Sequence, residues 1–377
     1  MPHNDGYFGT WTVTGKSFQN KRNALLYASN NGCPPVTWSW HDSIWKNFDR
    51  SRLGKQTLTT LYRERAQQLR DTYDYLILSY SGGADSHNIL LAFLDNNIKL
   101  DQIFVHQPFT YINSSYHKPN TTDTTSRNMI SEWDYCIKPT LDYVAKNHPS
   151  IHIELSNWMD NVNEQYFSSE DTFLNAGGSN NGMGPMARNL DFSKVGLTVL
   201  NKDKTIATIY GSDKPLLWLN DRQVSMIFTD VPMSHATNTV GTFEPFYWSE
   251  QLPDLIFEMA YQVYLYYRAN PHLQQYMWTK SSNVTDNVIT KFNHEISKLV
   301  CYSSTWDLRK FQSDKPNLGG LRQDRDFFIY EYADYQRVKD IWRHHQQGFY
   351  HGINKKYIND GGNLKVIKSN TYYLGDL

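Results

Sequence analysis

Tyr75-Leu76-Ile77-Leu78-Ser79-Tyr80-Ser81-Gly82-Gly83-Ala84-Asp85-Ser86-His87-Asn88 is the stretch that decides the fold. Tyr75-Leu76-Ile77-Leu78 is a short continuous apolar run, the pattern of a strand buried on both faces, and it implies a parallel sheet. A glycine turn follows. Ile89, Leu90, Leu91, Phe93 and Leu94 then supply the apolar positions of a crossover helix, which Asn96-Asn97 stops. Gln102-Ile103-Phe104-Val105 reads as the next strand, and strand, loop, helix and strand together have the length of a right-handed βαβ unit.

Working outward, Leu58, Leu61, Tyr62 and Leu69 lie at helical spacing with charged residues between them, so an amphipathic helix precedes the first strand. Residues 1–55 are rich in Trp, Asn and Gly with little helical periodicity and are expected to form an irregular or β-containing cap. Downstream, Ile130, Trp133, Ile137, Leu141 and Val144 repeat at helical spacing, with Pro139 expected to divide them into two helices. Ile151–Leu155 and Thr205–Tyr210 are further strand candidates. Between them, Gly177-Gly178-Ser179-Asn180-Asn181-Gly182 is too loop-like for regular structure, as in a lid or substrate loop. Beyond residue 231 the pattern becomes mainly helical, with Leu255, Ile256, Met259, Val263 and Tyr266 in one helix and Val284, Val288, Phe292, Ile296 and Leu299 in another. The expected organisation is a cap (1–55), an α/β domain (56–230) and a mainly helical region (231–377).

Composition narrows the function classes. At 377 residues and 40% apolar content the chain can bury a sizeable core. Its 37 Lys and Arg balance 38 Asp and Glu, so no extended nucleic-acid surface is expected. Cys33, Cys136 and Cys301 are too widely spaced for a disulfide framework or a C-x-x-C metal pair, which fits a reducing cytoplasm. The start of the chain lacks a basic-then-apolar leader, and no run of about 18 apolar residues occurs, so neither secretion nor membrane spanning is expected. The aromatic share of 15% fits core, a partner interface or a base-stacking pocket, and is compatible with a homo-oligomer.

The segment Ser81-Gly82-Gly83-Ala84-Asp85-Ser86 carries the chemistry. A helix N-terminus presents unpaired N–H groups and about half a positive charge, a ready site for phosphate oxygens. Gly82 and Gly83 permit positive φ and a close backbone approach. Ser81 and Ser86 add hydroxyl donors, and Asp85 makes sense beside phosphate as a ligand of Mg²⁺. Glycine-serine turns also occur in ordinary loops, so it is the strand before and the helix after that give the motif its weight. His87 and His106, taken by themselves, read as structural histidines.

These residues resemble the S-G-G-x-D-S motif of the PP-loop, or N-type, ATP pyrophosphatases, and every fixed position matches over about residues 72–110. The resemblance implies a HUP-like, three-layer α/β/α fold with a mainly parallel twisted sheet. It further implies Mg²⁺-dependent cleavage of ATP between its α and β phosphates, with a substrate oxygen activated as an AMP ester, pyrophosphate released and AMP then displaced by a nucleophile. By the same likeness Tyr80, the Ser81–Ser86 loop, Val105, His106 and Gly211 would bind the nucleotide, with Val105-His106-Gln107 beside adenine and ribose. Tyr210-Gly211-Ser212-Asp213-Lys214-Pro215 looks like the later loop that related enzymes place near the α-phosphate. Lys214 would then stabilise the charge developing there, and Asp213 would hold Lys214 or a second Mg²⁺. A plain turn capped by Asp and fixed by Pro has the same sequence signature. Arg188 is a candidate anion clamp, or a solvated side chain.

Absences narrow the reading within that family. The chain has no Walker-type G-x-x-x-x-G-K-[ST], no Cys after Met1, no reactive Cys in its last residues and no four-Cys zinc set. What remains is an adenylating, ligase-like or amidotransferase-like enzyme with an amine or ammonia as attacking group. Its acceptor would be a small molecule or a nucleobase. The long cap, the helical tail and Glu244-Pro245-Phe246-Tyr247-Trp248 resemble PP-loop proteins encoded by large tailed bacteriophages. The alternative reading is a nucleotide-binding or interaction protein on the same fold, without catalysis.

Overall fold

The computed structural model describes residues 9–107, 109, 133–157, 204–211, 215–230, 242–279, 287–302, 350–358 and 364–377. The chain opens with β1 (Thr10–Val13), β2 (Lys16–Phe18), α1 (Lys21–Asn30), β3 (Val36–Ser39) and α2 (Asp42–Lys46). The three strands form an antiparallel sheet in the order β2-β1-β3. The β content expected of the cap is present. Helix α1 was not foreseen, because it buries only Ala24, Leu25 and Ala28 and shows little apolar periodicity.

Helix α3 (Leu58–Thr72) starts where the Thr57 side chain accepts from the Thr60 N–H, and it buries Leu61, Tyr62, Arg65, Ala66 and Leu69. Then come β4 (Tyr75–Ser79), α4 (Ala84–Leu94) and β5 (Gln102–Gln107), as the pattern predicts. After α4, Asn97 takes a left-handed conformation at φ +53°, which turns the chain toward β5. A π-helical turn at Trp133–Ile137 runs directly into α5 (Lys138–Asn147). The segment is thus divided beside Pro139, as expected, but by a change from π to α pitch in a continuous helix rather than by a break. Pro139 lies in the first turn of α5, at the point where the pitch changes.

The remaining strands are β6 (His152–Asn157), β7 (Ile206–Tyr210), β8 (Leu216–Asn220), β9 (Gln223–Ile227) and β10 (Thr242–Pro245). They are followed by α6 (Pro253–Ala269), β11 (Trp278–Thr279), α7 (Asn287–Cys301) and β12 (Tyr372–Asp376). Five strands form an all-parallel sheet in the order β10-β7-β4-β5-β6, flanked by helices. Alternation sends Leu76 and Leu78 into the main core, while Tyr75, Ile77 and Phe104 form a second cluster with Ile206 and Tyr210. The entry to β4 and β7 is clasped: Thr205 N–H and Oγ1 both donate to Asp74 Oδ2, at 2.8 and 2.7 Å.

A third, mixed sheet has the order β11-β8-β9-β12. Its β8–β9 hairpin turns through Asp221, which has positive φ, and was not foreseen in the sequence. The described residues beyond 230 thus add strands to the parallel and the mixed sheet as well as α6 and α7. Trp40 joins the layers, with ring centroids 5.4 Å from Trp45, 5.3 Å from Phe228 and 5.5 Å from Trp248. Among the described residues no helix is long and apolar enough to cross a membrane.

Candidate functional site

From β4 the chain steps through β5 to β6 on one side, then returns to place β7 and β10 on the other. Loops leaving the carboxyl ends of β4 and β7 therefore diverge at the point where strand order reverses, which is where open α/β sheets hold ligands. The Ser81–Ser86 segment is the loop after β4, and Gly211 is the first residue after β7.

The loop after β4 is closed on itself by its two serines. Ser81 N–H donates to Ser86 Oγ (3.3 Å), Ser86 Oγ donates to the Gly83 carbonyl (3.1 Å), and Gly83 N–H donates to Ser81 Oγ (3.3 Å). Gly82 has φ +77°, and a Cβ there would lie 2.5 Å from Ile137 Cγ1. Gly83 is the N-cap of α4, and no side-chain cap bond closes the first turn. The helix tip thus keeps its electropositive character. Gly211 comes so close that a Cβ on it would sit 2.8 Å from Asp85 Cβ and 3.2 Å from Ser86 N. The two loops meet because Gly211 carries no side chain, and Gly82 lets the loop pack against Ile137 for the same reason.

Beneath the loop, Tyr80 is buried; its N–H donates to the Phe104 carbonyl (2.8 Å) and its hydroxyl lies 3.0 Å from His87 Nδ1 and 3.3 Å from Cys136 Sγ. Burial pushes the His87 imidazole down to about 4, so at neutral pH it is an uncharged member of this cluster. Val105 lies wholly in the core, and His106 pairs with Ser156 in the register of β5 with β6. Asp213 and Lys214 lie outside the described residues, as do Arg188 and the glycine-rich stretch 177–182.

Two tyrosines that sequence reasoning missed reach Asp85. Tyr247, two residues past β10, donates from its hydroxyl to the Asp85 carbonyl (2.9 Å) and accepts from Asn88 Nδ2 (3.0 Å). Tyr302, just past α7, donates to Asp85 Oδ1. Tyr62 of α3 stacks edge-on against Tyr247, with ring centroids 6.0 Å apart, and donates to the Cys301 carbonyl (2.7 Å). Burial first, and for Tyr247 and Tyr302 the nearby Asp85 charge next, hold these phenols well above their ordinary pKa, so each stays a neutral donor. The segment Glu244-Pro245-Phe246-Tyr247-Trp248 stood out as unusual in the sequence, but nothing local ties Tyr302 to Asp85.

Among the described residues no three His, Cys, Asp or Glu side chains cluster as a metal site, so Asp85 is the carboxylate that the loop itself supplies. Comparison with protein-family models, with curated proteins and with solved structures finds no match.

Proposed function

We propose that this chain is an ATP pyrophosphatase of the PP-loop type: it binds Mg²⁺-ATP on the Ser81–Ser86 loop and splits it between the α and β phosphates to adenylate an acceptor. The acceptor is a small molecule or a nucleobase, and displacement by an amine or ammonia releases AMP. In this reading the five-strand sheet is the centre of a HUP-like, three-layer α/β/α unit. The observation that carries the proposal is the S-G-G-A-D-S turn between β4 and an uncapped α4, at the strand-order reversal, with the Gly211 backbone against Asp85.

The residues fit the groups the reading requires. A Cβ on Gly82 would meet Ile137 and one on Gly211 would meet Asp85, so both glycines let backbone pack closely around the loop, and the first-turn N–H groups of α4 are assigned to an anion. Ser81 and Ser86 shape the turn and are assigned to the terminal phosphates, Ala84 lends its N–H, and Asp85 is assigned to Mg²⁺, which when bound neutralises phosphate charge. Tyr80 supports the loop from below, while Val105 and His106, at the end of β5, flank the assigned base and ribose position. Lys214, three residues past Gly211, is assigned the charge that develops at the α-phosphate, with Asp213 orienting it.

A second reading has one observation in its favour. Tyr302 already occupies Asp85 Oδ1, as a purely structural carboxylate would be occupied. In that case the chain binds nucleotide without cleaving it and serves as an interaction protein.

Incubation with Mg²⁺, α-labelled ATP and pooled metabolite and nucleoside extracts separates the two. AMP and pyrophosphate formed only with an acceptor pool are expected. Ser81→Ala and Asp85→Asn should each slow that turnover at least about a hundredfold, about 2.7 kcal/mol of barrier, with the fold intact by circular dichroism. ADP as product, or wild-type turnover in both variants, sinks the assignment, and nucleotide binding without turnover in every pool favours the second reading.

A further inference from the structure

Three elements far apart in the chain deliver phenols to one carboxylate-bearing helix tip. Tyr62 comes from α3, Tyr247 from the segment after β10 and Tyr302 from the end of α7. All three rings are buried, and a buried hydroxyl is costly unless bonded, so each position's choice of Tyr over Phe calls for a partner. The partners differ. Tyr62 donates to a backbone carbonyl at Cys301, within its own packing neighbourhood. Tyr247 and Tyr302 both act on Asp85.

Their bonds have a fixed polarity. An amide NH₂ can only donate, so the Tyr247 oxygen accepts from Asn88 and must spend its single proton on the Asp85 carbonyl. Asn88 is three residues along the same helix, so Tyr247 bridges two points of the first turns of α4 and holds that backbone. Tyr302 is left to address the carboxylate, which it meets at Oδ1. An ionised carboxylate has about four acceptor positions, and a phenol bonded at one of them restricts its rotation.

We propose that Tyr302 and Tyr247 are positioning residues for Asp85, together setting the affinity of the Ser81–Ser86 loop for a divalent cation that accompanies the nucleotide. Tyr302 locks the carboxylate through Oδ1, and Tyr247 locks the carbonyl and the helix turn below it. The inference rests on the assignment of Asp85 to Mg²⁺ and adds to it: residues beyond 230 govern metal binding at a loop formed around residue 85. Partners that orient a metal ligand change affinity by about 10–100-fold when removed.

The test uses the full chain and Mn²⁺ as a spectroscopic stand-in for Mg²⁺, with free Mn²⁺ followed by electron paramagnetic resonance in the presence of ATP, and thermal melting run alongside. Tyr302→Phe should weaken Mn²⁺ binding about tenfold or more, and Tyr247→Phe should shift it in the same direction. Tyr62→Phe removes a hydroxyl from the same cluster that donates to Cys301 rather than to Asp85; it should lower the melting temperature and weaken Mn²⁺ binding clearly less than Tyr302→Phe does. Wild-type Mn²⁺ affinity in Tyr302→Phe, or equal weakening in Tyr62→Phe and Tyr302→Phe, overturns the inference and leaves the nucleotide site standing. If Tyr302→Phe does not fold, Tyr247→Phe decides in its place, and an unshifted affinity there overturns the proposal. Absence of ATP-dependent Mn²⁺ binding in the wild type overturns the site assignment and this inference together.

Discussion

Gly82 satisfies two demands that no other residue meets together. Its φ of +77° lies in the left-handed region, and the place a Cβ would take is 2.5 Å from Ile137 Cγ1. For Gly82→Ala the left-handed conformation costs about 1–2 kcal/mol, and forcing a methyl into a packed neighbour costs about 1–3 kcal/mol more. A loss of about 2–5 kcal/mol in urea denaturation is the expected sum, and under the proposed function the displaced loop should also lose ATP binding. His87 makes a different prediction. Its ordinary value is 6.5, and burial lowers it to about 4. Between those values the unfolded chain carries a proton that the native state does not, so stability falls as pH drops from about 6.5 toward about 4. From about pH 7 to about pH 5 the wild type should lose about 2 kcal/mol more than His87→Gln in denaturation experiments. An identical pH profile for the two proteins would mean that His87 titrates normally.

At the scale of elements, α3 and β10 are joined by one side chain. Arg65 is buried, and its guanidinium donates to Glu244 Oε2 (2.7 Å), to the Pro245 carbonyl (3.1 Å), to the Phe246 carbonyl (3.2 Å) and to Gln68 Oε1 (2.9 Å). Tyr73 donates to the other Glu244 oxygen. This fixes the end of β10 just before Tyr247. Removing one member of a buried ion pair costs about 3–5 kcal/mol because the other is stranded, so Arg65→Met should destabilise by that amount in urea denaturation. Arg65→Met with Glu244→Gln should recover part of it, and a single variant as stable as wild type would show that the pair is dispensable. Long periodic elements such as α3 and α6 were legible in the sequence. The β8–β9 hairpin and the two-residue β11 were not, because short strands are specified by their neighbours rather than by their own residues. Pro139 marked where one helical segment gives way to another, although the sequence did not show that the chain stays helical across the junction and only changes pitch.

At the scale of the molecule, the Trp-rich composition admitted core, interface and stacking pocket alike. The structure places Trp11, Trp38, Trp40, Trp45 and Trp248 in one core that also holds the N-terminal sheet, with Trp11 Nε1 donating to Asp230 (3.0 Å) and Lys21 Nζ 2.8 Å from the same oxygen. The candidate site divides along similar lines. Ser81 to Ser86 and Gly211 could be found because each lies directly after a readable strand. Tyr247 and Tyr302 could not, since they reach Asp85 from 162 and 217 residues away with no local signature. The clasp between Asp74 and Thr205 spans 131 residues and marks the seam where β7 docks on β4. Closing so long a segment carries an entropic cost that nearer pairings such as β4 with β5 do not bear. A partly folded chain holding only β4, β5 and β6 would present the glycine turn without Gly211 beside it. A ligand held between the two loops, as the proposed function requires, would therefore recognise only chains in which the seam has shut, and by mass action would act as a latch on the completed topology.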